Sequence, residues 1–414
     1  MVPFREFRGL KGRFRSQRQF LLASGVVVLT FGGNALAQDV TTAKQTDRKL
    51  HQSTKATPGP QATAQPQAQK QEAAKDSVAS RQTEEVLVTS ERRAESPQNI
   101  GSSISVISGK TLETRNVNNV FDLQYLTPSL QVTPQFGSGQ PAFAIRGIGF
   151  NDYASNNAPT VGVYVDEVAN PVPFATNGLM FDIKRVEVLR GPQGTLYGRN
   201  TTGGAINYIL NKPTSTFHAG GDVQYGRFDS VKVDGYLSGP ITQKLRYRLS
   251  GETLQGGAWQ HNSDGRSLGD ADRGAARLLL DYDASDSLKF EFNLHGSRDR
   301  SDANGLHLYT PMSAFNALNP SAPIYPNSPD RYETNWGTSP SFAKEIGVNP
   351  NTKPFSHIDV GGMSLRADKK FSFATLTNLL SYDNMQRQEY MNFDAWPKTL
   401  ADVAFKTRAN VLAS

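Results

Sequence analysis

The stretch Val186-Glu187-Val188-Leu189-Arg190-Gly191-Pro192-Gln193-Gly194-Thr195-Leu196-Tyr197-Gly198-Arg199-Asn200-Thr201-Thr202-Gly203-Gly204-Ala205-Ile206-Asn207 decides the fold. It opens as an apolar strand and closes as a second one, 205–209. Between them, five glycines and a proline fall within fourteen residues. Glycine at that density marks backbone forced into tight turns or close contact, because glycine alone takes positive φ without steric cost. The spacing from Gly198 to Gly203 imitates a phosphate loop. Gly204-Ala205 stands where Lys-Ser/Thr is required, which removes the side chain that would hold the phosphates. A glycine-rich turn in a soluble β domain remains open at this point, and the flanking sequence decides.

Upstream, residues 1–37 combine a basic start, an apolar run at 20–31 and Ala35-Leu36-Ala37, and predict a secretory signal peptide cleaved before Gln38. Arg5, Arg8, Lys11, Arg13, Arg15 and Arg18 against Glu6 give that leader +5 of the chain's net charge of +6. The remaining +1, over 38–414, gives no electrostatic case for nucleic acid. There are no cysteines, and the six histidines show no ligand spacing, so neither a disulfide framework nor a metal or cofactor site is expected. Residues 38–83 are rich in Gln, Ala, Thr, Lys and Pro and predict a disordered linker. Within 84–94, the run Glu84-Glu85-Val86-Leu87-Val88-Thr89-Ser90 is β-prone. It either starts the next domain or adds a strand to another protein's sheet edge.

Residues 95–213 predict an αβ unit: strands at 104–107, 143–147 and 161–166, a short helix from Ser108 or Gly109 toward Thr114, and another at 118–126 stopped before Pro128. Beyond about Phe217 the period becomes two. Leu288, Phe290, Phe292 and Leu294 alternate with Lys289, Glu291, Asn293 and His295. About seven strands are expected, at 217–226, 229–239, 244–255, 274–283, 288–299, 359–369 and 373–385. A soluble sandwich would alternate in the same way. Connection lengths separate the two readings. Short turns at 239–243, 284–287 and 370–372 alternate with a long connection at 256–273 and a very long one at 300–358, as in an outer-membrane barrel.

With these elements in hand, the sequence resembles the TonB-dependent outer-membrane receptors. Val186 through Pro192, Leu196-Tyr197-Gly198 and Gly203 through Asn207 carry the resemblance most specifically, with support from 99–112, 143–150, 161–168 and 182–213. The resemblance implies an α+β plug domain at 95–213 followed by antiparallel transmembrane β-barrel strands at 214–414. The barrel is expected to have 22 strands in the complete protein, more than this chain supplies. It further implies that Glu85, Val86, Leu87, Val88 and Thr89 are the TonB box. TonB, energised through ExbB and ExbD, would be the partner beside outer-membrane lipid and a small-molecule ligand, most plainly a ferric siderophore or similar chelate. The linker is too short and polar for an added signalling domain. Arg146 and Arg190, each closing a strand before a glycine, are expected to seat the plug against wall carboxylates. Tyr309, Tyr325, Tyr332 and Trp336 in the long loop are the ligand-contact candidates, with packing of the loop as the alternative. No constellation predicts an enzyme. A passive porin or adhesin, which would lack a plug, and uptake of a carbohydrate or cobalamin are the alternatives.

Overall fold

The computed structural model describes residues 101–135, 139–150, 158–313, 324–325, 327–350, 352–393, 395 and 402–413. The leader, the linker and the run 84–94 lie outside the described residues.

The first unit is built on β1 (Ser103–Ser108), β5 (Val161–Val165), β6 (Val168–Ala169), β7 (Ile183–Arg190) and β8 (Gly204–Leu210), in the order β1-β7-β8-β5-β6. Only β5 and β8 run parallel. A second layer holds β2 (Leu130–Pro134), β3 (Pro141–Ile145) and β4 (Ile148–Gly149) with α1 (Gly109–Thr114) and a 3-10 turn at Val120–Tyr125. Ser108 starts α1 by accepting from the Thr111 amide at 3.1 Å, which satisfies one of the helix's free donors. Between the layers, Val186, Val188, Ile206 and Tyr208 pack against Leu112, Leu123, Phe143 and Ile145. All seven positions of β8 are buried, so it reads as a near-continuous apolar run rather than an alternation.

The organising stretch is the connection from β7 to β8. Gly191 lies in the left-handed region, at φ +96°. Its amide donates to the Gly203 carbonyl at 3.0 Å, and Gln193 donates to Thr201 at the same distance. A single turn of helix, α2 (Gly194–Tyr197), fills the tip. Gly204 returns the chain at φ +154°, where a Cβ would stand 2.3 Å from the Leu189 carbonyl oxygen. No larger residue fits that crossing.

The second unit is an eight-stranded antiparallel meander: β9 (His218–Gly226), β10 (Ser230–Pro240), β11 (Leu245–Gly256), β14 (Ala271–Ser285), β15 (Leu288–Asp299), β18 (Phe355–Lys370), β19 (Thr375–Asn392) and β20 (Asp402–Ala413). The loops between them carry the two-residue ladders β12 (Gln260–His261) with β13 (Ser267–Leu268) and β16 (Met312–Ser313) with β17 (Ile324–Tyr325), and the helix α3 (Pro340–Ile346). Register places apolar residues side by side. Leu237, Leu249, Leu278, Leu294, Met363, Tyr382 and Leu412 are successive cross-strand partners across seven strands. Leu294 is 48 % exposed, typical of the row, so this face is apolar and outward. The opposite face buries Arg248, Ser250, Arg277, Asp281 and Asp383 against the plug.

Seven of the eight strands fall where the alternation predicts them, with β18 and β19 longer at their outer ends. The eighth, β20, keeps an outward apolar residue at Leu412 but is polar on that face toward its start. Lys406, Arg408 and Asn410 are exposed, while Ala409 and Val411 pack on Val172, Phe174 and Ala175 of the plug. Inward apolar residues met by another protein layer do not give the lipid-facing signature. The 118–126 helix is realised as the 3-10 turn Val120–Tyr125.

Candidate functional site

The plug meets the wall through charge. At the tip of the β5–β6 hairpin, Asp166 and Glu167 both take positive φ, 46° and 72°, as a tight two-residue hairpin turn requires. That turn pushes two carboxylates toward the wall. Asp166 accepts from Lys212 Nζ at 3.1 Å, and the same ammonium reaches Glu291 of β15 at 2.9 Å. Glu167 pairs with Arg366 of β18 at 3.2 Å. Burial depresses the Lys212 ammonium, but Asp166 and Glu291 together outweigh it and hold the group above its ordinary value.

A second contact lies ahead of β7. Asp182, at φ 53°, accepts from Arg248 of β11 through both carboxylate oxygens and from Asn211 at 2.9 Å. Both charged side chains are less than a tenth exposed, and Arg248 also stacks over Tyr236 at 3.9 Å. Beside them, Arg277 lies over the Phe181 ring at 4.3 Å and donates to the Phe181 carbonyl. Arg387 of β19 donates to Gln140 at 2.6 Å. A cavity of about 570 Å³ separates α1 from β9–β11, lined by Asp182, Asp222, Asp234, Glu252, Lys232 and Arg248.

The seam therefore runs in both polarities: plug acids meet wall arginines at Asp182–Arg248 and Glu167–Arg366, while Lys212 of the plug meets Glu291 of the wall, the sense that the sequence reading expected but at a different residue. Arg190 donates to the Ser103 and Ser105 hydroxyls of β1 and so ties the edge strand of the plug sheet. Arg146, exposed at φ 54°, lies beside Gly191 and makes no ion pair among the described residues. Asp166, Glu167, Asp182, Lys212, Arg248 and Arg366 went unnoticed in the sequence. The available signal was two acids at the turn of an otherwise apolar hairpin, and arginines on the inward phase of the alternation.

At the other end of the wall, Tyr332 joins three loops. Its carbonyl accepts from the His261 amide at 3.0 Å, and its ring meets Phe228 at 6.1 Å and Trp259 at 6.4 Å. The Arg331 guanidinium lies 4.8 Å from that ring and donates to the Tyr332 hydroxyl at 2.7 Å, with Arg227 at 5.9 Å. The hydrogen bond from Arg331 holds the phenol below its ordinary value. Tyr309 is 80 % exposed beside His307, whereas Trp336 is 2 % exposed beneath Arg266. Tyr325 pairs through its backbone with Met312. The Glu85–Thr89 run lies outside the described residues. Among the described residues no three His, Cys, Asp or Glu side chains gather to hold a metal ion.

A mixed-sheet plug packed on the inner face of an outward-apolar antiparallel wall defines a plugged outer-membrane barrel. Residues 96–205 match the TonB-dependent receptor plug domain. The pesticin receptor of Yersinia pestis is 32 % identical over 174 residues, covering 41 % of this chain and 25 % of the relative. The ferripyoverdine receptor of Pseudomonas aeruginosa is 26 % identical over 165 residues, covering 39 % and 19 %. The chain spans about a quarter of the length of the curated relatives it matches. Among solved structures, the ferric yersiniabactin uptake receptor FyuA from Yersinia pestis has TM-score 0.57 at 20 % identity, covering 75 % of this chain and 44 % of that one. The FpvAI–pyocin S2 complex gives 0.62 at 17 %, covering 79 % and 40 %. At those identities the likeness is one of fold. The two curated relatives are receptors rather than enzymes.

Proposed function

We propose that this protein takes up a ferric siderophore or similar metal chelate across the outer membrane of a Gram-negative bacterium, by a TonB-dependent opening of the plug. The observation that carries the reading is the seam itself. A plug held to its wall by a few separable ion pairs, rather than by a continuous apolar interface, can be seated firmly and still part. The names of the relatives, receptors for pesticin and ferripyoverdine, support the ligand class. Tyr309 and Tyr332 are the ligand contacts we favour, with Trp336 as a support beneath the loop. TonB, driven by ExbB and ExbD, would engage Glu85, Val86, Leu87, Val88 and Thr89 by strand addition and pull. Arg146 and Arg190 remain candidates for pairing with wall carboxylates.

Uptake of radioactive iron as single ferric siderophores, by iron-starved cells carrying the complete receptor, tests the reading. Val86→Pro or Leu87→Pro should abolish uptake while leaving ligand binding intact, because proline removes a donor and the extended pairing geometry. Uptake unchanged by either substitution, or equal in cells without TonB, would refute it.

A further inference from the structure

Beside the β5–β6 hairpin the seam encloses a cavity of about 50 Å³. Asn170 and Phe181 line it from the plug, and Arg277, Asn293, His295 and Asp383 line it from β14, β15 and β19. Register explains how the wall residues meet. Arg277 is the cross-strand partner of His295, His295 that of Gly362, and Gly362 that of Asp383. A Cβ at Gly362 would overlap the Asp383 carboxylate. Glycine there lets the His295 ring cross over β18 and bond Asp383 through Nε2 at 2.8 Å.

Four polar atoms of this lining are buried without a hydrogen-bond partner: Arg277 Nε, Asn293 Oδ1, His295 Nδ1 and Asn170 Oδ1. Arg277 is the most demanding of them. It is 4 % exposed, donates to the Phe181 carbonyl and lies over that ring, and makes no ion pair among the described residues. A guanidinium does not shed its proton in a protein. Its charge, once buried, is met by a counter-charge or is costly to keep. The carboxylate on the cavity wall, Asp383, is already engaged by His295 on the far side of β18.

The other groups adapt to an anion. Each Asn amide presents either its oxygen or its two N–H donors by turning over, and the imidazolium form of His295 donates from Nδ1. One water needs roughly 10–15 Å³ of such space, so the cavity suits a halide with one or two waters and excludes a ferric chelate. We propose that this cavity binds a small monovalent anion of halide size, held by Arg277 and Asn293 of the wall and Asn170 of the plug. The anion joins plug to wall, and the seating of the β5–β6 hairpin depends on it. The site stands whichever ligand the receptor carries.

The test uses the complete receptor, purified in detergent, in sodium bromide or in sodium gluconate at equal ionic strength. Gluconate is too large for the cavity and controls for screening. In crystals grown with bromide, anomalous scattering should place a bromide within hydrogen-bond reach of Arg277 Nε. In solution, hydrogen exchange of the β5 and β6 amides should be about tenfold slower in bromide than in gluconate, the effect of one hydrogen bond to a charged partner. Asn293→Ala should raise the bromide concentration at half effect by about tenfold. Arg277→Met should abolish the bromide dependence. If that variant does not fold, the parent and Asn293→Ala decide the matter. No bromide at Arg277, equal exchange in the two salts, a half-effect concentration unmoved by Asn293→Ala, or a bromide dependence that survives Arg277→Met overturns the proposal.

Discussion

The plug and the wall use strands in opposite ways. In the plug, β5 and β8 are apolar on both faces, because protein covers both, and a polar exception such as Asn207 is fully buried. In the wall, the apolar face is turned out and the polar face is buried, so arginines and acids occupy the interior. The comparison teaches that burial and apolarity part company once lipid serves as one of the solvents. It also explains why the seam between the units is ionic. The wall has spent its apolar residues on the membrane side and offers the plug mainly Arg248, Arg277, Arg366 and Arg387, with local apolar contacts such as Leu279 and Met385.

The largest expected effect breaks the comparison at the seam. Arg248→Met leaves the buried Asp182 carboxylate without its cation, a loss of roughly 3–5 kcal/mol for a one-sided cut of a buried pair. Hydrogen exchange of β7 should quicken, and cells should become sensitive to antibiotics that the outer membrane excludes. Adding Asp182→Leu to the same protein should restore much of the protection. Unchanged exchange in the single variant would mean that the plug is seated elsewhere.

Lipid is the second point of attack. Leu294→Arg, near the middle of the apolar band, should cost about 2–4 kcal/mol and reduce the folded fraction in a heat-modifiability gel. A parent-like gel would show that this face does not meet hydrocarbon.

A smaller effect is expected inside the plug. Arg190→Ala deletes two charged hydrogen bonds to β1, at about 1–3 kcal/mol for the exposed edge. Proteolysis within β1 should rise. Arg146→Ala, which has no such tie, should leave proteolysis at the parent level. If both substitutions also raise solute leakage in the complete receptor, the two arginines additionally hold the wall.

The smallest effect lies in the loops and carries a sign. The folded pKa of Tyr332 is depressed, so its contribution to the loop contact is present above the unfolded value, about 10. It is lost as pH falls through the folded value, and at neutral pH it is absent. In an alkaline difference titration at 295 nm, Arg331→Gln should move one phenol to higher pH. A titration superposable on the parent would remove Arg331 from the ring.

The sequence alone settled what depends on local patterning. The glycines from Gly191 to Gly204 demanded a turn and a close strand crossing. Period two set the two faces of the wall strands, and connection lengths told its two ends apart. Strand β20 escaped because Ala409 and Val411 on its inner face meet the plug, a neighbour that local pattern does not contain, while its outer face is apolar only at Leu412. Tertiary structure alone decided which charges meet. Arg248 and Asp182 lie 66 residues apart, and Arg366 and Glu167 lie 199 apart. Alternation says that an arginine points inward but not at what height. Height follows from register summed over several hairpins, and the partner follows from where the plug's own turns place their carboxylates.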